Sequence, residues 1–293
     1  MHYTDLHCDT VTRCYKESKS FLDGDLQINA VKSKGIENYE QFFALWLNDE
    51  PKGETAFSLC ENILDYYDKE IAPVIKGYPN IKPHLSIENA SALGDDLHNI
   101  AYFKERGVEM MSLTWNGEND LASGVNVKGG LKSLGRQAVK EMARLGITVD
   151  VSHLNERSFY EVCLIDSIKI VASHSNCYDI CNHRRNLKRW QVKELISRGG
   201  LIGLNFCKDF FEVDNKSGID SLMVHLDYLL EKGCEAIIAF GTDFDGCELS
   251  DGICGIESIE SIYNSLLKSG YKEELLNKLF YNNANCFFKN MIQ

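Results

Sequence analysis

Six short stretches carry side chains able to grip a metal ion or to move a proton. The first is Asp5-Leu6-His7-Cys8-Asp9. On a strand, residues two apart project the same way, so His7 and Asp9 can hold one ion from one face; a strand-end histidine beside turn-capping aspartates gives the same local pattern. Glu88 closes the apolar run His84-Leu85-Ser86-Ile87, where a carboxylate can equally cap the helix that follows. His153 and His174 each end a β-branched run, and imidazole suits zinc and similar first-row ions when its second ring nitrogen is oriented by an acceptor. In Gly241-Thr242-Asp243-Phe244-Asp245-Gly246, Asp243 can shuttle a proton or bind an amine, whereas Asp245-Gly246 reads as turn chemistry. Arg184-Arg185-Asn186 is a solvated charge pair in most settings, but beside a metal one guanidinium clamps a carboxylate in bidentate fashion. The remaining histidines, His2, His84, His98, His183 and His225, are read as surface or core residues, His84 because it lies early in its strand and points to the wrong end.

These groups need a scaffold that brings them to one place. Short β-rich runs fall near 2–9, 41–47, 81–88, 108–115, 147–153, 169–174, 200–206 and 236–243, separated by amphipathic segments such as 54–75, 95–106, 130–145, 188–198 and 218–232. Gly107, Gly146 and Gly199 stand at helix stops. Alternating strand and helix implies a parallel sheet, either a closed (β/α)8 TIM barrel or an open doubly wound sheet. The polar residues decide for the barrel, because His7, Asp9, Glu88, His153, His174 and Asp243 all fall at strand carboxyl ends, which a barrel gathers at one mouth. No linker or low-complexity tract divides the chain, so residues 1–293 are expected to form a single domain.

Composition narrows the class of partner. The 293 residues hold 31 Lys+Arg against 43 Asp+Glu, and a net charge of −12 suits neither nucleic acid nor an anionic membrane. No apolar run is long enough to span a bilayer, and the amino terminus lacks the pattern of a secretory signal, so a cytoplasmic location is expected. Eleven cysteines without a CxxC pair read as mostly reduced and buried thiols.

Taken in order, the motifs resemble the membrane dipeptidase (renal dipeptidase) family, the M19 metallopeptidases, over nearly the whole chain. The residues that carry the likeness are His7-Cys8-Asp9, Ser86-Ile87-Glu88, Ser112-Leu113-Thr114 with Asn116, Asp150-Val151-Ser152-His153, Ser173-His174-Ser175, Arg184-Arg185-Asn186 and Gly241 to Gly246, with Gly200 to Phe206 resembling the seventh strand. The resemblance implies an amidohydrolase-type barrel with two Zn2+ ions, one held by His7 and Asp9, the other by His153 and His174, and bridged by Glu88. It implies hydrolysis of free dipeptides by a metal-bridging hydroxide, with Glu88 and Asp243 as catalytic carboxylates. Asp243 contacts the substrate amine and Arg185 its terminal carboxylate, so a short zwitterion is read at both ends. The partner expected is therefore a small dipeptide, with a homodimer allowed.

One position departs from the family pattern: Trp115 stands where the members best known as dipeptidases carry a substrate-contacting histidine. Indole offers one N–H donor and more bulk. That leaves two alternatives to the dipeptidase reading: a related amidohydrolase or lactonase with an altered pocket, or a catalytically silent metal-binding barrel.

Overall fold

The computed structural model describes residues 1–94, 96–166 and 168–289. Its parallel strands are β1 His2–Cys8, β2 Asn38–Trp46, β3 Ile81–Glu88, β4 Val108–Ser112, β5 Thr148–Asp150, β6 Ile170–Ala172, β7 Leu201–Leu204 and β8 Ile238–Phe240. They close in sequence order into a barrel, β8 returning to β1 at the Phe240–Asp5 pair. Every run expected to be a strand is one, and the closed alternative is the one adopted.

The helices that bear on the site are α1 Thr10–Glu17, α2 Gly53–Tyr66, α3 Asn99–Glu105, α4 Ser133–Arg144, α5 Glu156–Cys163, α6 Arg189–Ser197, α7 Gly218–Glu231, α8 Ile259–Lys268 and α9 Asn283–Lys289. Gly107, Gly146 and Gly199 adopt positive φ (94°, 69° and 58°) just past α3, α4 and α6, as helix stops require. The expected helix 54–75 is interrupted: α2 runs into a π-type turn, Tyr67–Ile71, before a short helix, Ala72–Lys76. Pro73 explains the break, since its ring cannot donate to Lys69 and crowds that carbonyl in regular α geometry. The expected helix 95–106 is α3; Asp95 lies outside the described residues. Among those residues, no helix is long and apolar enough to cross a membrane.

The barrel interior is filled from one end. Leu6, Phe42, Met110, Val171, Leu201 and Ala239, one from each of six strands, pack against Phe287 and Phe288 of α9. Each large side chain so buried contributes about 1.5–3 kcal/mol. The His84 ring stacks on Phe42 at 4.7 Å at this same end, and its Nδ1 lies 2.9 Å from Glu109. Glu40 also accepts from Lys82, Tyr281 and Asn285 there. With the amino-terminal end plugged, the carboxyl-terminal mouth is where polar side chains can converge.

Candidate active site

Strict alternation along β1 does not by itself place His7. Between the Asp5–Gln41 and Cys8–Phe43 pairs β1 has one residue more than β2, a bulge that lets Leu6 fill the interior while His7 still faces the mouth. Asp9 lies beyond the strand, at the residue capping α1 (φ −96°, ψ 11°). The two side chains nevertheless meet, His7 Nε2 lying 3.5 Å from Asp9 Oδ2.

Glu88, the last residue of β3, presents a different oxygen to each side of the mouth. Oε2 lies 3.2 Å from His7 Nε2, and Oε1 lies 2.8 Å from His153 Nε2 and 3.8 Å from His174 Nε2. The two latter imidazoles face each other, Nε2 to Nε2, at 2.9 Å. All five side chains expected to hold metal therefore come together. His153 reaches this position by a turn past β5 with φ 68°, and Asp243 past β8 with φ 63°, left-handed conformations that cost a non-glycine residue free energy and recur at functional sites.

The backs of the imidazoles are held. His153 Nδ1 lies 2.8 Å from Asn116 Oδ1, which fixes the tautomer with the proton on Nδ1 and leaves Nε2 a lone pair. His174 Nδ1 lies 2.7 Å from Ser173 Oγ, which donates to Asp150 Oδ2. Asp150 also accepts from the backbone N–H groups of Ser152 and Ser173, so one buried carboxylate orders both histidine turns. On the other side Asp5 accepts from the His7 and Thr242 backbone N–H groups and from the Thr242 hydroxyl. Burial lifts its pKa to about 6 despite those bonds.

The residues fit a pair of cations on chemical grounds. Asp9, Glu88 and Asp243 all lie within 3.8 Å of the one His7 ring nitrogen. His7 Nε2, Asp9 Oδ1 and Glu88 Oε2 are buried without a hydrogen-bond partner, an expensive state for polar atoms. Burial and the Glu88 charge push the Asp9 carboxyl up to about 7. His7 is raised well above a free imidazole because the Glu88 and Asp9 carboxylates outweigh its burial. Burial, with the positive Arg185 nearby, holds His153 and His174 below the ordinary value, in the neutral form that ligates. Imidazole nitrogens and carboxylate oxygens are a donor set for zinc or a similar divalent ion.

A cavity of about 810 Å3 opens onto this cluster, and Arg185, Asp243 and Trp115 line it. Arg185 is buried, its Nη2 donating to the His174 carbonyl at 3.3 Å. Among the described residues no carboxylate lies within 4 Å of it, which leaves its fork available to an anion. Arg184, by contrast, is exposed and donates to Asn126. Asp243 Oδ2 accepts from Asn205 Nδ2 at 3.0 Å. Gly246 is required beside it, because a Cβ there would lie 2.1 Å from Asp9 Oδ2 and 2.5 Å from Asp243 Oδ1. Trp115 packs edge-on against Trp46, ring centroids 5.2 Å apart, and lies 6.3 Å from the His153 ring.

Asp245 takes no part in the cluster. It accepts from Thr10, Arg13 and the backbone of Gln27 and Ile28, tying α1 and the following loop to the end of β8. Of the other histidines, His225 is buried against Cys177 and Phe211, while His183 stacks on Phe210 at the cavity rim. The sequence reading overlooks Asp5 and Asp150 as positioning groups, although a carboxylate within an apolar strand, two or three residues before a histidine, is a signal that could have found them. Asn205 and Trp46 carry no such signal. Seven of the eleven cysteines are buried, and none is paired in a disulfide among the described residues.

A closed parallel barrel with imidazoles and carboxylates converging at its carboxyl-terminal mouth defines a metallohydrolase architecture. The profile described as membrane dipeptidase (peptidase family M19) matches residues 1–291, and the chain belongs to that family, which places it among the metallo-dipeptidases. It is 31% identical over 219 residues to an uncharacterized protein in the pqqA 5′ region of Klebsiella pneumoniae, covering 71% of this chain and 81% of that one. It is 27% identical over 192 residues to the uncharacterized dipeptidase C965.12 of Schizosaccharomyces pombe, covering 63% of this chain but only 46% of that longer one. The crystal structure of a metallopeptidase from Rhodobacter sphaeroides, liganded with a phosphinate mimic of the dipeptide L-Ala-D-Ala, has the same fold: TM-score 0.88, 22% identity and 99% of each chain covered. Dipeptidase AC of family M19 superposes with TM-score 0.88 at 23% identity, covering 99% of this chain and 98% of that one.

Proposed function

We propose that the protein hydrolyses the amide bond of free dipeptides at a centre of two zinc ions, His7 and Asp9 holding one, His153 and His174 the other, and Glu88 bridging them. The observation that carries the reading is the divided Glu88 carboxylate, one oxygen toward His7 and the other toward His153. A bound pair of divalent ions supplies an acidified water and a Lewis acid for the scissile carbonyl.

The chain's own groups supply the rest. Arg185 pairs with the substrate's terminal carboxylate through a buried guanidinium that has no carboxylate within 4 Å among the described residues. Asp243, steadied by Asn205, receives the free amine. It takes the proton released by the attacking water and hands it to the departing amide nitrogen, so the carboxylate ends the cycle as it began. Fixing both charged ends excludes longer peptides, whose ammonium and carboxylate cannot reach both partners at once.

The Trp46–Trp115 corner favours a second reading of specificity: the wall suits a flat or apolar substrate group better than a polar one. Hydrolysis of unblocked dipeptides by zinc-loaded protein, compared with simple amides and lactones, tests the assignment; turnover of the lactones alone would replace it.

A further inference from the structure

The loops after β7 and β8 are zipped together beside the cluster. Lys208 N donates to Glu248 O at 2.9 Å, Ser250 N donates to Phe206 O at 3.0 Å, and Cys207 bridges Leu249 in antiparallel sense. This pairing sets Cys247 across from Cys207 at the cavity wall, and both line it. Their sulfurs and an Asp243 carboxylate oxygen all lie within 4.8 Å of one another. Cys247 Sγ also lies 3.5 Å from the Asp243 carbonyl oxygen.

We propose that Cys207, Cys247 and Asp243 form a further cation site, selective for thiophilic divalent ions of the zinc and cadmium class, and that filling it inhibits hydrolysis. A tetrahedral ion with bonds of about 2.3 Å to sulfur spaces its ligands about 3.8 Å apart, so small side-chain adjustments suffice. Two sulfurs and one carboxylate oxygen leave the fourth position open to the cavity. Binding releases the two thiol protons to solvent, and the cation replaces them as the partner of the surrounding negative charge. The hydrogen bond to Cys207, burial and the Asp243 carboxylate push the Cys247 thiol far above its ordinary range, so without an ion that thiol stays protonated and a poor nucleophile. The proposal is distinct from the centre of His7, Asp9, Glu88, His153 and His174, whose donors include no sulfur. Its inhibitory half rests on the reading of Asp243 as the amine-binding, proton-carrying group, because an ion held there occupies that carboxylate.

Sulfur ligation supplies a readout independent of activity: thiolate-to-cadmium charge transfer absorbs in the ultraviolet, whereas imidazole and carboxylate ligation do not produce that band. Protein loaded with two zinc ions per chain and then titrated with cadmium should develop the band to saturation at one ion per chain. C207S/C247S should lose it, as should C247S alone, the milder change, whereas C181S and C254S should retain it. Dipeptide hydrolysis should fall at least about tenfold as the band saturates, the scale of losing a charged contact. The double variant should resist the same cadmium concentration. No band, or a band of equal size in the double variant, would overturn the site. A band with equal inhibition of both proteins would overturn only the inhibitory role of Asp243. If no dipeptide is hydrolysed before cadmium is added, the functional reading fails while the band still decides the site.

Discussion

Asp150 reaches His174 through a single hydroxyl: its Oδ2 accepts from Ser173 Oγ, which in turn lies 2.7 Å from His174 Nδ1. Neither Asp150 nor Ser173 lines the cavity, yet they determine which nitrogen of His174 carries its proton. Because the same carboxylate accepts from the Ser152 backbone, the His153 turn shares the support.

Asp150→Asn should therefore weaken metal binding by about 10- to 100-fold, the usual consequence of removing an orienting partner of a metal-bound histidine. Competition with a calibrated chelator measures the affinity, and a thermal melt of the metal-free protein separates positioning from folding. An unchanged affinity would show that Ser173 alone orients the ring.

The two-ended reading of the substrate concerns Arg185 and Asp243. Amidating a dipeptide's carboxyl terminus should raise KM, acetylating its amine should lower kcat/KM, and Arg185→Ala should cost about 10-fold or more on the free dipeptide by losing a charge-assisted contact. Arg184→Ala is the control, since that side chain is exposed and bonded to Asn126. Equal rates on blocked and unblocked dipeptides would reject the geometry.

At Trp115 the two readings of specificity diverge. If the indole stands in for a lost oxyanion donor, Trp115→His should raise kcat on L,L-dipeptides by up to about 10²-fold and change KM less, because the gained contact belongs to the transition state. If it is a wall built with Trp46, the histidine opens a gap and lowers activity on apolar substrates. Steady-state kinetics over L,L- and L,D-dipeptides and lactones separates these outcomes.

Much of the architecture is legible in the sequence, for identifiable reasons. Short β-rich, largely apolar runs mark all eight strands because each strand is buried on both sides of the barrel wall. The same pattern overruns the true ends, extending to 115, 153, 174 and 243 where the strands stop at Ser112, Asp150, Ala172 and Phe240. The excess residues are those of the site. His153 and Asp243 adopt left-handed backbone imposed by tertiary contacts, which no local propensity encodes. Likewise the β1 bulge and the Asn205–Asp243 bond depend on neighbouring strands and leave no trace in spacing.

The plugged end of the barrel yields a pH dependence unrelated to catalysis. Burial opposes a charge on His84, but the hydrogen-bonded Glu109 carboxylate and the Glu40 carboxylate 3.8 Å away raise its pKa from 6.5 to about 9. The folded state thus binds this proton more tightly than the unfolded state. The resulting stabilisation is complete below pH 6.5 and is lost as pH rises through about 9. Chemical denaturation of wild type and His84→Gln should differ by about 1–3 kcal/mol at the acidic end of that window and converge above it. A difference independent of pH would assign the effect to packing on Phe42.

The central claim, a binuclear centre that hydrolyses dipeptides, is tested most directly by returning zinc to chelator-stripped protein while following hydrolysis of an unblocked dipeptide. The rate should rise from near zero to its maximum at about two ions per chain, as a bridged pair requires. Glu88→Gln should bind fewer ions and remain inactive throughout. Full activity in the stripped protein, or no hydrolysis at any zinc level with the metal demonstrably bound, would contradict the account.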